Sequence, residues 1–296
     1  MSTPLEFGQL MTAMITPFTS AGELDVDLAC EVADYLIENG TDTIILAGTT
    51  GESPTLTHDE EYLLFERVIK SVGTKAKIMV GTGSNSTRTA IEATQKAESL
   101  GAHGSLQVVP YYNKPSQEGM YQHFKAIAEN TSLPILLYNI PGRTGANMEP
   151  ETIARLADIS NIIGVKEAAG SVDQVKKIRA ATPTDFLIYS GDDGLTLPFI
   201  EAGAIGVVSV ASHIAGKQIK TLIQSALSGD MEKAKQIQSE LESLFNVLFV
   251  STNPGPIKAA MRLLGFSVGI PRLPLVDITE DEYRQIEVVL DDLLIS

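Results

Sequence analysis

The sequence predicts an α/β protein: a (β/α)8 TIM barrel followed by a C-terminal helical extension. Three observations carry this prediction. Short apolar runs alternate with longer amphipathic ones eight times between residues 10 and 228. Uniform alternation of this kind implies parallel strands joined by crossover helices. Eight such units fit a closed barrel better than an open doubly wound sheet. Beyond residue 228 the alternation stops, which divides the chain into a barrel over 1–228 and an extension over 229–296 packed on it.

The elements follow in order. Residues 10–16 (LMTAMIT) read as the first strand, and 25–38 as a helix with apolar residues at helical spacing, closed by Gly40. The second strand is 43–47; its helix runs to Val72 from a capping box, because Thr57 and Glu60 can satisfy each other's free amides. Strand three (77–81) precedes a helix over 87–100, and strand four (105–109) one over 117–129. Strand five (134–139) leads to a short helix over 150–157 with Pro150 near its start. Strands six (162–166), seven (186–190) and eight (206–210) are followed by helices over 172–181, 196–202 and 217–228. Three further helices, 230–247, 256–264 and 280–294, are separated by Pro- and Gly-rich turns.

Composition narrows the function classes. With 296 residues, 44% of them hydrophobic, the chain can bury a large core. A net charge of −15 argues against nucleic acid or an anionic membrane as partner. Cys30 is the only cysteine, so no intrachain disulfide is possible; its helical pattern with Leu28, Val32 and Leu36 places it in the core. The four histidines show no metal-binding spacing, and no metal or nucleotide cofactor is expected. The first ten residues lack a secretory pattern and no run is long and apolar enough to span a bilayer, so the cytoplasm is the expected location.

Active sites of barrels lie at the C-terminal ends of the strands, so the residues there decide the chemistry. They are Gly48-Thr49-Thr50-Gly51-Glu52-Ser53, Pro110-Tyr111-Tyr112-Asn113, Tyr138 through Arg143 to Gly145, Lys166-Glu167, and Gly191-Asp192-Asp193-Gly194. Read alone, each has a bland alternative: a lysine that exits to solvent, tyrosines at an interface, a surface arginine, a tight glycine turn. Their coincidence on one rim is what points to a site. The 48–51 turn lacks P-loop spacing, and Gly81-Thr82-Gly83 lacks the third glycine of a dinucleotide fingerprint and reads as a turn close to the site. The charges of Asp192 and Asp193 argue against a phosphorylated substrate.

A lysine inside an apolar barrel has its charged form disfavoured. The neutral amine is a nucleophile toward carbonyls and forms a Schiff base. Proton movement at the carbinolamine stage can pass through a phenol such as Tyr138 linked to hydroxyls. The Arg143 guanidinium can grip a carboxylate bidentately. The residues thus describe a class I aldolase-type lyase acting on a 2-oxo acid, with Lys166 as the imine-forming residue.

GTTGES (48–53), PYYNKPSQEG (110–119), YNIPGRTG (138–145), GVKEAAG (164–170), SGDD (190–193) and STNPGPIKAAM (251–261) resemble, in order and over essentially the whole chain, the dihydrodipicolinate synthase family. This resemblance implies condensation of pyruvate with L-aspartate-4-semialdehyde to 4-hydroxy-tetrahydrodipicolinate, in lysine and diaminopimelate biosynthesis. It implies Lys166 as the Schiff-base lysine and Tyr138, Thr49 and Tyr112 as proton relay, with Tyr112 reaching into a neighbouring subunit of a homotetramer. It further implies Thr50 at the pyruvate carboxylate, helped by backbone near Gly191 and Val208, and Arg143 at the semialdehyde carboxylate.

Two alternatives stand beside it. N-acetylneuraminate lyase and 2-keto-3-deoxy sugar acid aldolases share the lysine and tyrosine but handle polyols, whereas Arg143 favours a second carboxylate. A non-catalytic binding barrel is the alternative from a different class. For lysine as an effector, Ser53, His58, Asn85 and Tyr111 match the polar set of lysine-inhibited members. Glu61 and Thr89 replace a histidine and a glutamate there, so weak or absent inhibition is expected.

Overall fold

Eight parallel strands close into a barrel in sequence order, β1 pairing with β8. The computed structural model describes residues 4–295. The barrel alternates β1 (Leu10–Ala13), α1 (Val26–Glu38), β2 (Thr43–Leu46), α2 (His58–Val72), β3 (Lys77–Gly81), α3 (Thr87–Ser99), β4 (Gly104–Val108) and α4 (Gln117–Ala128). It continues with β5 (Ile135–Asn139), α5 (Pro141–Thr144), α6 (Pro150–Ala157), β6 (Ile162–Glu167), α7 (Val172–Ala181), β7 (Leu187–Ser190), α8 (Thr196–Glu201), β8 (Gly206–Ser209) and α9 (Ser212–Ser228). The extension is α10 (Met231–Val247), α11 (Gly255–Leu263) and α12 (Glu280–Ile295).

Each strand and helix expected from the apolar pattern is present, with ends that shift for local reasons. β2 stops before Ala47, whose φ of 48° leaves the extended region. The single turn α5 was not legible in the pattern; it opens with Pro141, whose ring fixes a helical φ. α9 begins at Ser212 and not at 217, because a turn joins it across a break at Ala215. The capping box on α2 is formed: the Thr57 hydroxyl accepts from the Glu60 amide and the Glu60 carboxylate accepts from the Thr57 amide.

Three apolar clusters hold the fold. The barrel interior packs Met11, Ile45, Met79, Leu106, Leu136, Tyr138, Leu187, Tyr189 and Val208. Outside it, α4, α6 and α7 bury Phe124, Ile153 and Val175 against β5 and β6 residues such as Leu137 and Val165. The largest cluster joins Val32, Leu36, Phe65 and Ile219 of barrel helices to Leu241, Phe245, Met261 and Ile286 of the extension. Cys30 is only half-buried, at the margin of this cluster rather than inside it.

Candidate active site

Tyr138 on β5 and Lys166 on β6 are register partners, so their side chains leave the sheet on the same side. The Lys166 Nζ stands 4.1 Å from the centroid of the Tyr138 ring. Both are buried, at 6% and 4% exposure. One residue on, Asn139 and Glu167 form the next pair, which alternation turns to the opposite face. There the Asn139 Nδ2 donates to both Glu167 carboxylate oxygens, at 3.2 and 3.0 Å, joined by the Gln174 amide and the Ala169 N–H. Burial raises the Glu167 carboxyl above the ordinary range, and these donors work against that rise. The pairing of β5 with β6 shifts at Ile135/Leu136. The outward polar pair fixes the register beyond that irregularity, and with it the meeting of Tyr138 and Lys166.

Gly191 closes the other side of the lysine. A Cβ built there would lie 2.7 Å from the Ala168 Cβ and 3.1 and 3.2 Å from the Lys166 Cε and Cγ. The absence of a side chain is therefore what lets the β7 loop pass against the lysine stem. Val208 packs in the barrel interior with Tyr138 and Met11.

Tyr138 also lines a cavity of about 490 Å³, shared with Thr49 and Arg143 and extending to Ser53, His58, Glu61, Thr89 and Tyr111. α5 carries Arg143 to this wall. Gly81 runs so near the loop after β2 that a Cβ would lie 2.2 Å from the Ala47 carbonyl oxygen. That loop holds two non-glycine residues in the left-handed region, Ala47 at φ 48° and Glu52 at φ 55°. Such residues persist where surrounding contacts over-determine them.

At the far wall Glu61 is 6% exposed and accepts from the Ser53 hydroxyl at 2.7 Å, with His58 Nδ1 at 3.1 Å. Burial raises its carboxyl, and the Ser53 and His58 contacts oppose the rise. Asn85 touches this wall indirectly, donating to the Tyr111 carbonyl.

Five of the expected catalytic and substrate-binding residues are not on the lining of this cavity: Lys166, which lies against the Tyr138 ring, Gly191 and Val208 beside these two, and Thr50 and Tyr112. Thr50 is 3% exposed beside Thr49, and its hydroxyl accepts a 2.9 Å hydrogen bond from Asn253. Tyr112 points away from the protein, 89% exposed, on a backbone with φ 73°. Asp193 corrects the electrostatic expectation. Its carboxylate is fully buried and accepts from Ser209 and from the Val210 and Ala211 amides, so it secures the end of β8 and presents no charge to a substrate.

The sequence pattern did not reveal how the extension meets the site. Lys258 on α11 is fully buried, with Nζ 2.5 Å from Glu52 Oε1 and 4.1 Å from the Phe18 ring centroid. Burial pushes its ammonium down to about 8 against the pull of Glu52. The Arg272 amide donates to Glu52 and its guanidinium to Glu60 and the Thr55 carbonyl. One readable signal was a lysine inside the apolar run Ile257 to Met261. Lys258 is also the rival to Lys166 as a nucleophile, but its amine is held by the Glu52 carboxylate, whereas that of Lys166 lies against the Tyr138 ring.

Residues 6–293 match the Dihydrodipicolinate synthetase family. The chain is 56% identical to the 4-hydroxy-tetrahydrodipicolinate synthase of Thermosynechococcus vestitus, over 97% of this chain and 98% of that protein. It is 54% identical to the enzyme of the same name from Nostoc punctiforme, with the same coverage of both chains. Among solved structures, DHDPS from Cyanidioschyzon merolae with lysine bound superposes with a TM-score of 0.97 at 50% identity, covering all of both chains. The likeness runs through every strand and loop that builds the Tyr138–Lys166 site, and the chain belongs to the Dihydrodipicolinate synthetase family.

Proposed function

We propose that this protein is a Schiff-base synthase that condenses pyruvate with L-aspartate-4-semialdehyde to 4-hydroxy-tetrahydrodipicolinate. The observation that carries this is the buried Lys166 amine against the ring of Tyr138, a residue that lines one cavity together with Thr49 and Arg143. The neutral amine adds to C2 of pyruvate, and the carbinolamine expels water to give the imine. Tyr138, with Thr49 on the same cavity wall, passes protons between the carbinolamine and solvent. Loss of a C3 proton yields an enamine, whose carbon bonds to the aldehyde carbon of the second substrate. The amine of that substrate then displaces Lys166, closing the ring and returning the free lysine. Thr50 and the backbone near Gly191 and Val208 hold the pyruvate carboxylate, and Arg143 holds the semialdehyde carboxylate. A second carboxylate is favoured over a polyol by Arg143, which ranks this synthase above a sugar-acid aldolase.

This chemistry needs neither metal nor nucleotide, and the enzyme is assigned to the cytoplasm as a biosynthetic catalyst. Among the described residues no helix is long and apolar enough to cross a membrane. We assign it a homotetramer of two dimers, with Tyr112 completing the relay of a neighbouring subunit; an 89% exposed tyrosine held at positive φ supports this. Mixed oligomers of inactive Tyr112→Ala and Lys166→Ala subunits then recover activity, and failure of such mixtures to do so removes the crossover.

Borohydride reduction with pyruvate tests the central claim. Mass mapping is expected to find the reduced pyruvyl adduct on Lys166 and none in Lys166→Ala. An adduct on Lys258, or none on folded wild-type protein, overturns it.

A further inference from the structure

The loop that carries Thr49 and Thr50 is held from across the molecule. Asn253 lies just before α11, 203 residues from Thr50, and its Nδ2 donates to the Thr50 hydroxyl at 2.9 Å. Both side chains are at least nine-tenths buried, Thr50 at 3% and Asn253 at 5% exposure. The Asn253 Oδ1 has no partner among the described residues, so the bond to Thr50 is the side chain's single hydrogen bond there. A buried amide kept for one contact points to that contact as its purpose.

The direction of the bond matters. A threonine hydroxyl has one proton and two acceptor lone pairs, while an amide N–H can only donate. With Asn253 donating, the Thr50 oxygen accepts and its own proton is left for another acceptor. A carboxylate is acceptor-only and requires such a proton. Donation into the hydroxyl oxygen also polarises its O–H, strengthening the next bond in the chain. The neighbours keep the loop from adjusting: the Thr16 hydroxyl donates to the Gly51 carbonyl at 2.6 Å, and Glu52 is fixed by Lys258 and Arg272.

We infer that Asn253 is a positioning residue for pyruvate binding, orienting the Thr50 hydroxyl so that its proton faces the substrate carboxylate. This rests on the proposed role of Thr50 as a carboxylate ligand.

The test measures the pyruvate concentration that half-saturates borohydride trapping, together with the KM for each substrate and the Tm. Asn253→Ala is expected to raise the pyruvate half-saturation about tenfold, the cost of one hydrogen bond to a charged group, and to leave the semialdehyde KM within about twofold. Asn253→Asp has the same shape but only accepts, so it is expected to be at least as damaging; it also carries the test if the alanine variant does not fold. In a Thr50→Val background, Asn253→Ala is expected to add nothing to the pyruvate effect. An Asn253→Ala effect of equal size in both backgrounds, or equal rises in both KM values, overturns the inference. If Thr50→Val weakens pyruvate and Asn253→Ala and Asn253→Asp do not, the inference alone fails. If Thr50→Val leaves pyruvate binding unchanged, the role of Thr50 fails first and the inference with it.

Discussion

The amine of Lys166 lies 4.1 Å from the centre of the Tyr138 ring, a contact made by two register partners on adjacent strands. The ring packs against the lysine amine, and moving protons is the role proposed for its hydroxyl. Tyr138→Phe is expected to keep the packing and lower kcat by about 10²–10⁴-fold, the range for losing a general acid–base group. The pyruvate KM changes little, and rapid-quench trapping shows slowed imine formation. Unchanged kcat would remove Tyr138 from the relay.

Gly191→Ala inserts a methyl 3.1 Å from the Lys166 Cε and 2.7 Å from the Ala168 Cβ. The lysine must move, since the Ala168 side cannot receive the methyl. Activity is expected to fall about 10²-fold from misplacement of the nucleophile, with stability lowered by about 1–3 kcal/mol from overpacking. Kinetics beside urea denaturation separate the two effects. A fully active variant would show that the lysine stem tolerates the displacement.

Lys258→Met leaves the Glu52 carboxylate buried with its ion-pair partner gone. Breaking a buried pair from one side costs about 3–5 kcal/mol. The double variant Glu52→Gln/Lys258→Met is expected to regain much of that loss, as read from urea midpoints. Equal stabilities for single and double variants would contradict the coupling.

His213 is completely buried; its Nε2 accepts the Ile15 N–H and its Nδ1–H donates to the Val210 carbonyl, so the ring is neutral. Burial holds its pKa down to about 4, against 6.5 in the unfolded chain. As pH falls from 6.5 toward 4 the unfolded chain takes up a proton that the folded one refuses. This contribution is therefore complete above 6.5 and is lost on acidification, with a slope of at most about 1.4 kcal/mol per pH unit. His123, also held down to about 4 by burial, acts in the same direction. Urea denaturation between pH 7 and 4 is expected to show a shallower decline for His213→Gln than for the wild type. Parallel declines would mean that His213 does not carry the pH dependence.

Lysine is expected to inhibit weakly or not at all. The Glu61 carboxylate is already engaged by Ser53 and His58, and Thr89 on the same wall is uncharged. A ligand ammonium meets no free carboxylate among the residues that line this wall. Half-inhibition at micromolar lysine in a steady-state assay would refute this.

The barrel was legible because its signals are local: apolar runs of strand length, helical spacing, a capping box at Thr57, glycines at the turns. The site was legible to the extent that its residues lie at or just beyond the C-terminal ends of strands. Tyr138, Lys166, Thr49 and Arg143 do; Tyr138, Thr49 and Arg143 share one cavity, and Lys166 lies against the Tyr138 ring. Asp193 misled because sequence position gives a charge but not its direction, and three donors had claimed it. The Glu52–Lys258 pair and the Asn253 bond were hidden for another reason. They join residues about 200 positions apart, and a buried lysine on a helix looks like any other until its partner is known.

That separation gives the enzyme a property tied to the order of its synthesis. The eight strands are complete by Ser209, whereas Asn253, Lys258 and Arg272, which hold the loop between β2 and α2, are made later. A nascent chain can pair β8 with β1 before the residues that secure this loop exist. The loop is therefore fastened only after the barrel strands exist, and a translation product that stops after β8 is a barrel that lacks these contacts.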